Sequence, residues 1–298
     1  MISMKSARTY PWSVGSVGKS GAAVRLILLA LIFLAELFPV SGQRSQSDSS
    51  LTPRQRAIEK QRSRLSSSDP EERRDAVMRL GAMKRADSSR TAAVALGDPV
   101  PIIRATAASA VLSMPSEDVV PLLVPMLNDK KEFVRQQVAH ALGETRNSAA
   151  VEALVTAFER DKMPSVRAAA AIALGMIGDE SASGHLARAI DPLFPINGRF
   201  NQKGRKKEEK DRFVQLAAAR SLGQMRSRAS VPVLIGAMTS KKLTDDVRRE
   251  AVVALGSIGD SSAVPVLRTV LDSTDPYLSR AAFDALAKIS RHNSNDTK

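Results

Sequence analysis

Two stretches of the chain decide its fold: "PSVRAAAAIALGMIGDESA" at residues 164–182 and "DDVRREAVVALGSIGDSSA" at residues 245–263. Both follow the pattern V-R-x-x-A-x-x-A-L-G-x-I-G-D-x-x-A. In the first stretch, apolar residues recur at i, i+4, i+7, i+8 and i+11, the spacing of one apolar stripe along an α-helix. The second glycine of each copy suits the left-handed conformation that ends many helices, and the aspartate after it can cap the next helix. Each stretch therefore predicts a helix, a tight turn and the start of another helix.

Weaker copies of this pattern recur along the chain when its arginine is used as the register position. The register positions are Arg73, Arg104, Arg135, Arg167, Gln215, Arg248 and Ser279. Neighbouring positions are 31 to 33 residues apart, except for one interval of 48 residues. A second signature, "VVPLL", "SVPVL" or "AVPVL", precedes some copies and places a proline near the first turn of another helix. Because a pair of short helices cannot bury its apolar stripes alone, we predict an all-α fold, an α-solenoid of about seven stacked helix pairs.

The register arginines have two interpretations. They are predicted to be structural, each reaching a carboxylate or a helix-end carbonyl of the adjacent unit, and they are Arg73, Arg104, Arg135, Arg167 and Arg248. The alternative is a row of arginines that faces a ligand. Gln215 and Ser279 interrupt the charge, and a binding row would tolerate such interruptions poorly.

With these elements in register over about residues 51–291, the chain resembles HEAT-like repeats, and among them the short bacterial type called phycobilisome-lyase HEAT-like. The resemblance implies a fold, whereas its implication for function is weak, because such arrays present one surface to many kinds of partner. Some members of the wider family are enzymes. Deoxyhypusine hydroxylases hold a di-iron centre on His-Glu pairs, and bilin lyases attach tetrapyrroles to cysteines of partner proteins.

The residue types that carry chemistry are scarce. The chain has no cysteine, which excludes disulfides, thiolate catalysis and zinc-thiolate sites. Its three histidines, His140, His185 and His292, are far apart in sequence, and a glutamate follows none of them. His140 is predicted to lie on a helix face, and the other two are predicted to be solvated. We therefore predict no catalytic residue, no metal site and no cofactor.

The N-terminus has the pattern of an export signal. The ten apolar residues "LILLALIFLA" at 26–35 follow basic residues and precede Pro39. This length suits the core of a signal peptide and is short of the roughly 20 residues of a membrane span. We predict that residues 1–42 are a signal peptide and that residues 43–51 are a flexible tether, so that the protein is periplasmic or secreted. The alternative is an uncleaved anchor that holds the protein at the inner membrane through residues 26–38.

The interval of 48 residues contains the basic stretch "NGRFNQKGRKKEEK" at 197–210. Insertions in solenoids emerge as loops on one edge, so we predict an inserted basic loop at 191–210. A candidate interaction site consists of Arg199, Lys203, Arg205, Lys206 and Lys207. The alternative is a tolerated surface loop, because lengthening a loop costs little.

The net charge of +13, from 44 Lys and Arg against 31 Asp and Glu, favours anionic partners. The leading hypothesis is a non-enzymatic scaffold of the bacterial envelope, whose solenoid at 52–291 presents a surface to a protein partner and ends in a polar tail at 292–298. The first alternative is a basic module that binds phospholipid or another anionic polymer. The second is an enzyme of the lyase or hydroxylase type. Nucleic acid is the least favoured ligand, since aromatic residues are only 4% of the chain. A membrane would be contacted only through an uncleaved leader.

Overall fold

A computed structural model of the protein describes residues 51–193 and 206–295, with side chains placed for residues 51–193 and 212–292. The predicted signal peptide, the predicted tether up to residue 50 and three residues of the predicted interaction loop (Arg199, Lys203 and Arg205) lie outside the described residues. Export through residues 1–42 therefore stays a prediction. None of the helices within the described part of the chain is long and apolar enough to cross a membrane.

The described residues form fourteen α-helices and several short 3₁₀ turns. The helices are α1 (Pro53–Arg64), α2 (Pro70–Ala82), α3 (Ala86–Ala92), α4 (Pro101–Ala110), α5 (Ser116–Leu123), α6 (Glu132–Thr145), α7 (Val151–Arg160), α8 (Pro164–Ile177), α9 (Ser183–Ile190), α10 (Lys206–Met225), α11 (Val231–Thr239), α12 (Asp245–Ile258), α13 (Val264–Thr269) and α14 (Pro276–Asn295). They make seven consecutive helix pairs, so the predicted all-α solenoid is confirmed. In each repeat we call the first helix the A helix and the second, which carries the register position, the B helix.

The chain divides into two units, residues 1–56 and residues 57–298. In the first unit, Thr52 and Gln55 cap the start of helix α1 by two reciprocal hydrogen bonds. Thr52 N donates to Gln55 Oε1 (2.8 Å), and Gln55 N donates to Thr52 Oγ1 (3.2 Å). This arrangement satisfies two backbone donors that a helix start leaves without partners.

In the second unit, each B helix from α2 to α14 packs against the B helix of the next repeat, and the A helices cover the row of B helices. The reason is visible in the pattern Ala-Leu-Gly. The alanine or valine three residues after each register position is fully buried in all seven repeats. In five repeats a glycine lies eight residues after that position, and a Cβ on it would come within 2.6 to 3.0 Å of the next B helix. Small residues therefore allow the B helices to approach closely.

The predicted turn chemistry is present. Gly178 (φ 77°) and Gly259 (φ 80°) end helices α8 and α12 in the left-handed conformation. The side chain of Asp179 then accepts a hydrogen bond from Ser181 N (3.0 Å), as predicted for the next cap. At the matching positions of other repeats, Lys84, Arg146 and Arg226 adopt the same conformation with φ of 49° to 55°.

Two helix ends bear on the predicted boundaries. Helix α10 begins at Lys206, within the predicted loop at 191–210. Lys206 and Lys207 therefore belong to the first turn of a helix, and only their backbone is described. Helix α14 continues to Asn295, so His292 is part of a helix. The predicted polar tail at 292–298 therefore starts within the last B helix.

Candidate active site

The structure places the register arginines at contacts between successive repeats. Arg73 donates from Nε and Nη2 to the carboxylate of Asp98 (2.7 and 3.0 Å), and its Nη1 donates to Ser67 O (3.0 Å). The same bidentate contact recurs between Arg104 and Asp129 and between Arg135 and Asp161, and Arg167 Nη1 donates to Asp161 O. We call these contacts the arginine ladder.

The ladder aspartates also accept hydrogen bonds from backbone N–H groups at the start of the B helices. Asp98 accepts a hydrogen bond from Val100 N (2.8 Å) in addition to those from Arg73. The hydrogen bond from Arg73 is the main reason why the pKa of Asp98 lies below its ordinary value; burial opposes this shift. The pKa of Asp129 is lowered in the same way by Arg104. The three bidentate contacts of the ladder thus join the first four repeats through charged groups that already have partners.

In the sixth repeat the neighbouring arginine forms the carboxylate contact. Arg248 donates to Met238 O (3.0 Å) and to Asp245 Oδ1 (3.0 Å). Arg249 instead makes the bidentate contact with Asp275 (2.8 and 2.9 Å), and its guanidinium lies over the ring of Tyr277, 5.0 Å from the ring centre. Which of two adjacent arginines joins the next repeat is therefore decided by the geometry of the helix.

A groove runs along the B helices α10, α12 and α14, and we call it the B-helix groove. Its larger part, about 660 Å³, is lined among others by Arg226, Val253, Lys288 and His292. An adjoining hollow of about 440 Å³ shares Val253 and Lys288 with it and is also lined by Tyr277. The groove exists because the small residues that let the B helices approach provide no long side chains to fill the surface between them.

Two cations in this groove have no partner within the described part of the chain: Arg226 and Lys288. The other nearby basic groups are paired, Arg220 with Glu250 (2.9 Å) and Arg280 with Asp284 (3.2 Å). Arg226 also has a φ of 55°, a conformation that costs an L-residue roughly 1 kcal/mol.

His292 places an imidazole in the groove. Its Nδ1 lies 3.1 Å from Lys288 O, and because a carbonyl oxygen can only accept, Nδ1 carries the hydrogen. In the neutral ring Nε2 therefore holds the lone pair. The ring packs on Gly259, where a Cβ would lie 3.2 Å from His292 Cγ. Gly259 thus allows the left-handed turn and also leaves space for the imidazole of His292. The sequence predicts only that His292 is a solvated residue of the tail.

The other two histidines each have a glutamate as partner. His140 Nδ1 lies 3.0 Å from Glu144 Oε1 on the exposed face of α6. His185 Nδ1 lies 2.6 Å from Glu159 Oε1. Among the described residues, His, Asp and Glu side chains form no group of three or more that could hold a metal ion. The residues that the structure describes therefore do not fit the di-iron centre that the hydroxylase resemblance implies.

These features define an α-solenoid repeat protein with a polar groove on its B helices. The HEAT repeats family matches residues 58–142, 131–193 and 243–296, and the PBS lyase HEAT-like repeat family matches residues 214–240. The matches to HEAT repeats cover more than half of the chain, and the chain belongs to that family. The resemblance predicted from the register pattern is confirmed.

Similar proteins include enzymes. The chain is 44% identical over 66 residues to deoxyhypusine hydroxylase of Gallus gallus, and the match covers 22% of this chain and 21% of the relative. It is 42% identical over 73 residues to the bilin biosynthesis protein PecE of Mastigocladus laminosus, covering 24% and 26%. The chain thus spans about a fifth to a quarter of the length of these curated relatives.

A solved structure supports the fold. The structure of the Escherichia coli protein YibA superposes with a TM-score of 0.53 at 19% identity, over 94% of this chain and all of that chain. At this identity the likeness concerns the fold alone.

The prediction of a non-enzymatic scaffold is wrong, because the curated relatives are named as a deoxyhypusine hydroxylase and a bilin biosynthesis protein, which are enzyme-type HEAT-like proteins. The prediction rested on the in-register repeats, on the signal-like leader and on the lack of catalytic groups in the sequence. The physical reason is that groups from distant segments meet in one groove: Arg226 follows the end of α10, whereas Lys288 and His292 lie on α14, and only the stacked repeats bring them together. A motif search along the sequence does not detect such an arrangement.

Proposed function

We propose that this protein is a HEAT-like enzyme subunit of the lyase type, which binds an anionic, conjugated ligand in the B-helix groove and acts together with a protein partner. The observation that carries the proposal is the meeting of two unpaired cations and one oriented imidazole in a single groove. The matched segment of the bilin biosynthesis protein PecE supports the lyase type, and the unsuitable set of metal ligands disfavours the hydroxylase type.

The shape and charge of the groove suggest the class of ligand. Its two parts, about 660 and 440 Å³, are in the range of small-molecule sites. Val253 and the alanines beside it give an apolar floor, while Arg226 and Lys288 offer charge-assisted hydrogen bonds to carboxylates. A flat, apolar ligand with two carboxylates, such as a linear tetrapyrrole, would satisfy both features.

The proposed chemistry is the addition of a thiol to a carbon–carbon double bond of the ligand. His292 Nε2 would take the proton of the thiol and then deliver it to one carbon, while sulfur bonds to the other. Because the chain has no cysteine, the thiol must come from the partner. If residues 1–42 export the protein, that partner is a thiol protein of the envelope rather than a phycobiliprotein.

The surface beside the groove suits a protein partner. The rings of Tyr277 and Phe283 are 70% and 60% exposed, although aromatic side chains are usually well buried. Arg249 lies over the first ring and Arg280 over the second, at 5.0 and 5.8 Å from the ring centres. Exposed aromatic and arginine side chains are enriched at protein interfaces, so we place the partner at this end of the groove.

The test is a titration of the purified protein with biliverdin, a linear tetrapyrrole with two carboxylates, followed by its absorbance spectrum. Arg226→Ala and Lys288→Ala should each weaken binding about fivefold, as expected for one partly exposed ion pair. His292→Gln should retain binding within about twofold, since it removes no positive charge from the neutral form. It should, however, slow formation of the covalent adduct with an added thiol at least about a hundredfold.

The matched control is the double variant Lys241→Ala/Lys242→Ala, which removes two exposed lysines that precede α12 and line neither part of the groove. It should bind biliverdin like the unchanged protein. Equal binding of the neutral dimethyl ester, or adduct formation that is unaffected by His292→Gln, would contradict the proposal.

A further inference from the structure

A second groove lies between the A helices of the third and fourth repeats, and we call it the A-helix groove. Its volume is about 750 Å³. Its floor is apolar and consists of Val124, Leu127, Ala153 and Ala157. A pocket of this size and lining can take most of a small organic molecule.

The groove has a local cause in the sequence. Helix α5 ends at Leu123, and the chain continues as the 3₁₀ turn Val124–Asn128, which contains Pro125. Proline lacks the N–H that the next α-helical turn would need, and a 3₁₀ turn is narrower than an α-helix. The chain after α5 therefore has a smaller diameter where it faces α7, and a groove remains between this 3₁₀ turn and α7.

Three cations surround this groove: Lys130, Arg160 and Lys162. All three are exposed, and none has a partner in the parts of the chain that the structure describes. Lys130 and Lys162 occupy the same position, five residues before the register arginine, in successive repeats, so the stacking brings their loops side by side.

The negative groups of the groove are mostly neutralised. Asp129 and Asp161 hold the ladder arginines Arg104 and Arg135, which leaves Glu152 as the unpaired carboxylate on the wall. Three free cations against one free carboxylate give the groove a net positive charge of two. Together with the apolar floor, this favours a ligand with an anionic head and an apolar body.

We propose that the A-helix groove is a binding site for a small amphipathic anion, namely a carboxylate or phosphate monoester on an alkyl or aryl body. The apolar body lies on Leu127 and Ala157, and the anionic head lies among Lys130, Arg160 and Lys162. This site is separate from the B-helix groove and does not depend on the lyase-type function.

Isothermal titration calorimetry of the full chain tests the site with four probes: decanoate, decyl phosphate, decanol and inorganic phosphate. Decanoate or decyl phosphate should bind, and the probe that binds more tightly shows whether the site prefers a carboxylate or a phosphate head group. Decanol should bind at least about fivefold more weakly, because it lacks the charge that the cations recognise. Inorganic phosphate alone should bind too weakly to measure, because it has no body to bury on the floor.

Two variants assign the binding to this groove. Lys130→Ala/Lys162→Ala should weaken binding of the alkyl anion at least about tenfold and reduce its dependence on salt. Ala153→Trp should block the floor while circular dichroism shows an unchanged helical content. The control Lys241→Ala/Lys242→Ala should bind normally, and so should His292→Gln, which separates this site from the B-helix groove. Equal affinity for decanol, no binding of either anion, or binding unchanged in both groove variants would overturn the proposal.

Discussion

The contact between Arg135 and Asp161 should dominate the stability of the central repeats, and Asp161→Ala tests this. Arg135 is only 5% exposed, and its Nε and Nη2 lie 2.6 and 2.8 Å from the carboxylate oxygens of Asp161. The same carboxylate accepts a hydrogen bond from Met163 N (2.8 Å), which starts helix α8. The substitution therefore leaves a buried guanidinium and a helix start without their acceptor.

The size of the effect follows from burial. Removing one partner of a buried ion pair costs about 3 to 5 kcal/mol. Arg135 and Asp161 both line the A-helix groove, so water can reach the orphaned guanidinium, and the lower end of that range applies. We expect a loss of about 3 kcal/mol for Asp161→Ala. Asp161→Asn keeps an acceptor for Met163 N but loses the charge, so about 1.5 kcal/mol is expected.

The assay is urea unfolding followed by far-ultraviolet circular dichroism, with hydrogen exchange to locate the affected repeats. Asp272→Ala is the control, because Asp272 is exposed and lies outside the ladder; its effect should stay within about 0.5 kcal/mol. A loss of less than about 1 kcal/mol for Asp161→Ala would refute the reasoning. The ladder would then not hold the repeats together.

Two more predictions concern the packing and the acid stability of the repeats. Gly143→Ala should destabilise the protein by about 1 to 2 kcal/mol in urea unfolding, because its Cβ would lie 2.7 Å from Ala173 Cα; Gly184→Ala, with open space around it, should instead stabilise by about 0.5 kcal/mol. Arg104 lowers the pKa of Asp129 in the folded state. The contribution of this ion pair to the free energy of unfolding is therefore complete above the unfolded pKa of about 4, and it disappears as pH falls through the lower pKa of the folded state. Asp129→Asn should therefore reduce stability at pH 7 and lose part of the acid dependence of the urea midpoint, and an unchanged acid dependence would contradict this explanation.

Local sequence determined the repeat itself. The spacing of apolar residues, the small residues of Ala-Leu-Gly and the left-handed turns at Gly178 and Gly259 are all encoded within about one helix length. Each of them acts through contacts between near neighbours or between equivalent positions of adjacent repeats. A regular pattern therefore predicts both the helices and their stacking.

The tertiary structure decided which groups meet across repeats. The sequence pattern selected Arg248 for the ladder, yet Arg249 holds Asp275, while Arg248 donates to Met238 O. The same applies to the candidate site, whose members Arg226, directly after α10, and His292, on α14, belong to different repeats.

The sequence by itself thus determined the class of fold, the number of repeats and the positions of their turns, since these depend on short-range spacing. It did not determine the B-helix groove, because that groove depends on how closely α10, α12 and α14 approach one another. His292 illustrates the difference. Its neighbours in sequence are polar and uninformative, and its role follows from a hydrogen bond to Lys288 O and from the space that Gly259 leaves in the preceding repeat. Contacts of this kind are made by distant segments, and only the stacked repeats bring them together.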